Sequence, residues 1–92
     1  PNLSTKIFLR DIKVSSIVKA NTIYLYNVES KIETLLSYYL PNSKIIKNID
    51  NYLNFNYIIT TDRNFLSSDN NSAVFKLVKS FDNHFLLRNI GK

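Results

Sequence analysis

Between Ser30 and Pro41 the chain has room for only one kind of element. Ile32, Leu35, Leu36, Tyr39 and Leu40 recur three to four residues apart, so an α-helix gathers them on one face and a strand scatters them. Ser30-Lys-Ile-Glu33 has the spacing of a capping box, in which a Ser hydroxyl and a Glu carboxylate satisfy the first helical N–H groups. Pro41 ends the helix, because the residue before a proline is pushed out of helical geometry. The flanks follow from this helix. Thr22-Ile-Tyr-Leu-Tyr26 alternates with the period of a strand, Lys44-Ile-Ile-Lys47 reads as a second strand, and Phe55 to Thr60 reads as a third. The helix is expected to bury Ile32, Leu35, Leu36 and Leu40 against Ile23, Leu25, Ile46, Tyr57 and Ile59. Each such side chain contributes roughly 1.5–3 kcal/mol before chain entropy is counted.

On either side of this strand–helix–strand–strand opening the pattern changes. Residues 1–21 fit neither period cleanly and are expected to form an N-terminal extension or an edge strand, leaving 22–92 as a single domain. Ser67 to Ser72 is rich in Asp, Asn and Ser, which hydrogen-bond the local backbone and favour turns. Ala73 to Phe81 alternates again. Asp82-Asn83, two residues that tolerate positive φ, can link it in a tight hairpin to a last strand from Phe85 to Ile90. The expected fold class is α+β: a mainly antiparallel sheet of about four to five strands with one principal helix on one face, and a ferredoxin-like tendency.

Ninety-two residues bury roughly 60–65% of their extended surface on folding, which suits one small domain. The absence of cysteine excludes a disulfide framework and a thiolate metal site, and a single histidine, His84, excludes a histidine-rich one. No apolar run approaches the ~20 residues of a membrane span, and no signal-peptide core is visible. Neither a membrane partner nor a small-molecule substrate is therefore expected. The chain lacks Met and starts at Pro1, which fits removal of an initiator Met and fits a trimmed presequence equally. Its wealth of Asn, Ile, Lys, Tyr and Phe suits AT-rich codons, as in an organelle, a parasite, an endosymbiont or a phage.

The net charge of +5 is concentrated at the ends. Lys6, Arg10, Lys13 and Lys19 outweigh Asp11, and Lys76, Lys79, Arg88 and Lys92 outweigh Asp82, so each end carries +3. Basic ends suit a polyanion such as RNA, and ordinary solubilising charge produces the same pattern. Catalytic groups are not expected. Ser15-Ser16 and Ser67-Ser68 lack the surroundings of a nucleophile, and His84 reads as an exposed turn residue. Glu29 and Glu33, one helical turn apart, read as capping and solvated groups. No glycine-rich phosphate loop is present, and no cofactor is implied. Tyr24, Tyr26, Tyr38, Tyr39, Tyr52 and Tyr57 offer stacking surfaces for bases, although at these spacings several must pack inside.

Leu40-Pro-Asn-Ser-Lys44, followed by Tyr57-Ile-Ile-Thr60, a polar turn at Ser67 to Ser72 and Phe75-Lys-Leu-Val78, resembles small-subunit ribosomal protein ten in its divergent mitochondrial forms. The likeness spans roughly Thr22 to Phe81 and is one of order and spacing. Thr61-Asp62-Arg63 and Asp69-Asn-Asn-Ser72 depart from it where the family carries Ser-Pro-His and a basic cluster. The resemblance implies a strand, a helix, a two-strand ribbon starting near Lys44, a short helical turn and a final strand. It also implies a structural, non-enzymatic role in holding rRNA beside neighbouring small-subunit ribosomal proteins, in a mitochondrion. The cytoplasm of an AT-rich bacterium or of a phage-infected cell is the alternative setting. Lys44, Lys47, Arg63, Lys76, Lys79 and Arg88 are the expected RNA contacts. The early helix of small-subunit ribosomal protein eight is a weaker likeness. The ending from Val74 to Lys92 is similar to RelE-type messenger-cleaving toxins, which makes an RNase the rival function. A phage or viral protein-binding module is a third.

Overall fold

The computed structural model describes residues 3–13, 21–50 and 54–91. In chain order the elements are α1 (Leu3–Lys13), β1 (Ile23–Tyr26), α2 (Ser30–Tyr39), β2 (Lys44–Ile46) and β3 (Tyr57–Thr60). A 3-10 turn (Phe65–Ser67), a short helix α3 (Asp69–Val74) and the strands β4 (Phe75–Phe81) and β5 (His84–Asn89) complete it. Tyr52 and residues 14–20 lie outside the described residues.

The strands form one sheet in the order β2-β1-β3-β5-β4. The fold is α+β as expected, but the sheet is mixed rather than mainly antiparallel. β1 runs parallel to both β2 and β3, while β5 runs antiparallel to β3 and to β4. The cause is the path through α2. A strand–helix–strand unit returns the chain to the end from which it started, so β2 must run with β1. After β2 the chain crosses the opposite face, where Ile49 and Phe55 pack, and β3 then joins the far side of β1. The two-strand ribbon expected to begin near Lys44 is therefore not formed, because β1 separates β2 from β3.

A sheet covered on both faces needs strands that are apolar on both faces, and Ile58-Ile59 meets that need. Ile59 points to a cluster with Phe8, Leu9, Ile12, Ile23, Leu25, Leu36, Leu40 and Leu86. Ile58 points the other way, to Ile49, Phe65, Phe75 and Leu87. Leu36 and Leu40 are buried and Ile32 packs against the same cluster, so the phase expected for α2 holds at these three positions, while Leu35, also expected there, is half-buried and outside the cluster. Ile46, expected beneath α2, packs on the opposite face instead. Its partner on β1 is Tyr26, which faces that side too.

Two helices cover the α2 face, not one. The first 21 residues, expected as an extension or edge strand, contain α1, whose Thr5, Phe8, Leu9 and Ile12 form a single buried stripe. These positions are three and four residues apart, as one helix face requires. The signal was masked because a threonine fills one core position and Ile7 lies off the stripe, partly exposed. The capping box at Ser30 is also absent. Ser30 is the first helical residue, and Glu29 occupies the cap position without a side-chain bond. The Glu29 N–H donates instead to Thr61 Oγ1 at 2.9 Å.

The turn expected over Ser67 to Ser72 is a 3-10 turn running into α3. Ser68 Oγ accepts from the Asn71 N–H at 3.4 Å, and the Asn71 amide donates to the Phe65 carbonyl at 2.9 Å. The side-chain hydrogen bonds that favour turns also cap a helix. The closing hairpin is as read: Asp82 and Asn83 have φ of 46° and 61°. The register shifts between Leu77 and Lys79, which makes Val78 a bulge in the outer strand.

Candidate nucleic-acid interface

Strand register decides which cations meet. Lys76 on β4 lies opposite Arg88 on β5, and Arg88 lies opposite Tyr57 on β3. Tyr57 in turn lies beside Ile23 on β1. These four residues form one row across the sheet and share a face, the one covered by α1 and α2, because Ile23 and Tyr57 belong to its cluster. The row spans roughly 14 Å, three strand spacings of ~4.8 Å. Lys76 and Arg88 are exposed, and among the described residues no carboxylate lies within ion-pair distance of either. Lys79 shares that face, opposite Leu86, after the bulge.

At the β1 end of the row is a hollow of about 430 Å³, walled by Lys13, Tyr39, Pro41 and Asn42. Ile23 and Leu40, 2% and 3% exposed, form its floor. The Lys13 ammonium lies 5.4 Å from the centre of the Tyr39 ring, within cation–π range. Tyr38 is 78% exposed and meets Tyr39 edge to face, with centroids 5.0 Å apart. Lys6 and Arg10 continue the cationic edge of α1 from Lys13 along a second shallow groove that also contains Tyr39.

The other expected contacts stand apart. Lys44 lies at the opposite edge of the sheet and on the opposite face, opposite Tyr24, about four strand spacings or ~19 Å from Lys76. Lys47 follows β2 and Arg63 follows β3, at the end of the sheet where those strands finish. The structure thus sets Lys76 and Arg88 at one end of a row whose other end adjoins Lys13, which was not among the expected contacts, and Tyr39, which was expected only as one of several possible stacking surfaces. The repeat of Lys6, Arg10 and Lys13 at four and three residues, a basic helical stripe, was the available signal.

Open α/β sheets usually take ligands where the parallel strands end. Here the chain's own hydrogen bonds lace that end together. Thr60 and Thr61 hydroxyls donate to the Asn27 carbonyl at 3.3 and 3.4 Å, and the Asn27 amide donates to Asp62 at 3.3 Å. Ser4 bonds Asp82, tying α1 to the hairpin. His84, expected as an exposed turn residue, is 3% exposed there. Its Nδ1 faces the Phe81 and Asp82 carbonyls at 3.1 and 2.8 Å, so Nδ1 carries the proton. In the neutral ring Nε2 then accepts from the Thr5 hydroxyl at 2.8 Å. Both nitrogens are engaged, and the ring also packs against Phe8 with centroids 5.3 Å apart. This histidine holds α1 on the hairpin.

Among the described residues no group of three or more acidic or histidine side chains could hold a metal ion, and no helix is long and apolar enough to cross a membrane. Comparison of the chain with protein-family models, curated proteins and solved structures finds no match.

Proposed function

We propose that this chain is a non-enzymatic RNA-binding module of a ribonucleoprotein particle. The observation that carries this is the cross-strand pair Lys76 and Arg88, two exposed cations side by side with no carboxylate in ion-pair distance among the described residues. Like charges directly opposite in an antiparallel pair are destabilising, so a polyanion that bridges them relieves a built-in repulsion. Tyr57 continues the row, and Lys13 and Tyr39 line the hollow beside Ile23 at its far end, which sets aromatic rings near cations as single-stranded RNA requires. The small ribosomal subunit of an organelle, beside neighbouring ribosomal proteins, is the setting implied by the sequence resemblance. The parallel pairing of β1 with β2 and β3 departs from that family's ribbon.

The test is RNA binding by the purified chain across a salt series. Phosphate contacts by Lys13, Lys76 and Arg88 should make the logarithm of affinity fall with the logarithm of salt at a slope near −2, about −0.7 per single-strand phosphate. Reversing Lys76 and Arg88 to Glu should shrink that slope, whereas Lys44→Glu, on the far edge, should alter it less. A parent slope near zero would remove the proposal.

A further inference from the structure

Resting on that RNA-binding reading, we propose that the hollow at the start of β1 seats the unstacked base of a single nucleotide, with Lys13 holding its phosphate. The lining is mixed in a way that suits this ligand. Ile23 and Leu40 give an apolar floor, Tyr39 an aromatic wall, and Lys13, among the described residues, the cation. Asn42 stands on the lining as well, and its amide offers both a donor and an acceptor to a base edge. Among the described residues no Asp or Glu lines the hollow, so its field admits an anion. At about 430 Å³ it falls within the range of small-ligand sites.

The contact between Lys13 and Tyr39 suggests how the site fills. An incoming base takes the place of the ammonium over the ring, and the four-carbon stem of Lys13 carries the charge out to the phosphate. The hollow also adjoins Ile23, the β1 member of the row that holds Tyr57, Arg88 and Lys76. A strand whose base enters here can therefore lay its neighbouring phosphates along that row.

Titration with hexauridylate, hexaadenylate, the two matching mononucleotides and inorganic phosphate tests this, with the Asn42 side-chain amide followed by NMR. The oligonucleotides are expected to move this amide at low concentration, the mononucleotides to move it weakly, and inorganic phosphate to leave it in place. Tyr39→Leu should lower oligonucleotide affinity roughly 5- to 100-fold, the effect of losing one stacked base, with the salt slope unchanged. Tyr39→Phe keeps the ring and should bind as the parent does. A thermal melt of each variant confirms that it is folded. An unmoved amide, or a folded Tyr39→Leu variant that binds as tightly as the parent with the parent's slope, would overturn the nucleotide site and leave the RNA reading standing. Mononucleotides that bind as tightly as the oligomers would reassign the hollow to a free nucleotide and overturn the RNA part of the proposal. A parent with no salt-dependent RNA binding would sink the functional reading itself.

Discussion

His84 and Thr5 are separated by most of the chain, and each is the other's buried partner. Removing one leaves the other buried polar group without its bond, which costs about 1–3 kcal/mol, whereas removing both removes that penalty and leaves only the Phe81 and Asp82 carbonyls without the His84 N–H. Thr5→Val and His84→Leu should each lower the melting temperature, by roughly 4–8 °C per kcal/mol in a domain of this size. The double variant should lose less than the sum of the two, with a coupling of about 0.5–3 kcal/mol. Additive losses in a thermal-melt cycle would show that the pair contributes no mutual stabilisation. No sequence pattern near His84 announced this role. A histidine beside a turn reads as exposed until a second element covers it, and the covering helix lay in the stretch hardest to interpret.

Among elements, α2 was legible because Ile32, Leu36 and Leu40 kept one phase and Pro41 fixed the end. The hairpin was legible because Asp82 and Asn83 both accept positive φ. Strand direction was not. β1 and β3 are four residues long and β2 is three, too short for alternation to separate a parallel central strand from an antiparallel one. One clue was present: Ile58-Ile59 places bulky side chains on both faces, as a strand covered on both sides demands. The basic row was half legible, since Lys76 and Arg88 stood in the sequence but their register across β4 and β5 did not. That register makes a prediction for the hairpin. Lys76→Glu replaces a cross-strand repulsion with an attraction and should raise stability by about 0.5 kcal/mol at this exposed position, roughly 2–4 °C. The same change should weaken RNA binding severalfold. A lower melting temperature would show that Lys76 and Arg88 do not oppose one another in the folded protein.

Across the whole molecule the two kinds of charge are only partly segregated: Lys47 and Arg63 stand among the acids where β2 and β3 finish, and Asp11, paired with Arg10, stands near Lys13. Glu29, Asp62 and Asp82 gather where β1 and β3 finish, the Asp62 and Asp82 carboxylates accepting from Asn27 and Ser4. Lys13, Lys76 and Arg88 lie where those strands begin. A net charge of +5 on a small domain repels itself, and Lys76 and Arg88 bear that repulsion with no carboxylate in ion-pair distance among the described residues. Screening and RNA should therefore act on the fold in the same direction and on each other in opposite ones. Without RNA, raising sodium chloride from about 0.01 M to 0.15 M shortens the Debye length from about 30 to 8 Å, which should raise the melting temperature. At low salt, single-stranded RNA at a hundredfold excess over its Kd should stabilise the fold by about 2.7 kcal/mol, because it binds the assembled row and not the unfolded chain. At high salt that second gain should disappear while the first remains. A melting temperature that ignores RNA at low salt, in a chain that nonetheless binds it, would mean that the contacts come from unfolded or peripheral lysines rather than from the row that strand register assembles.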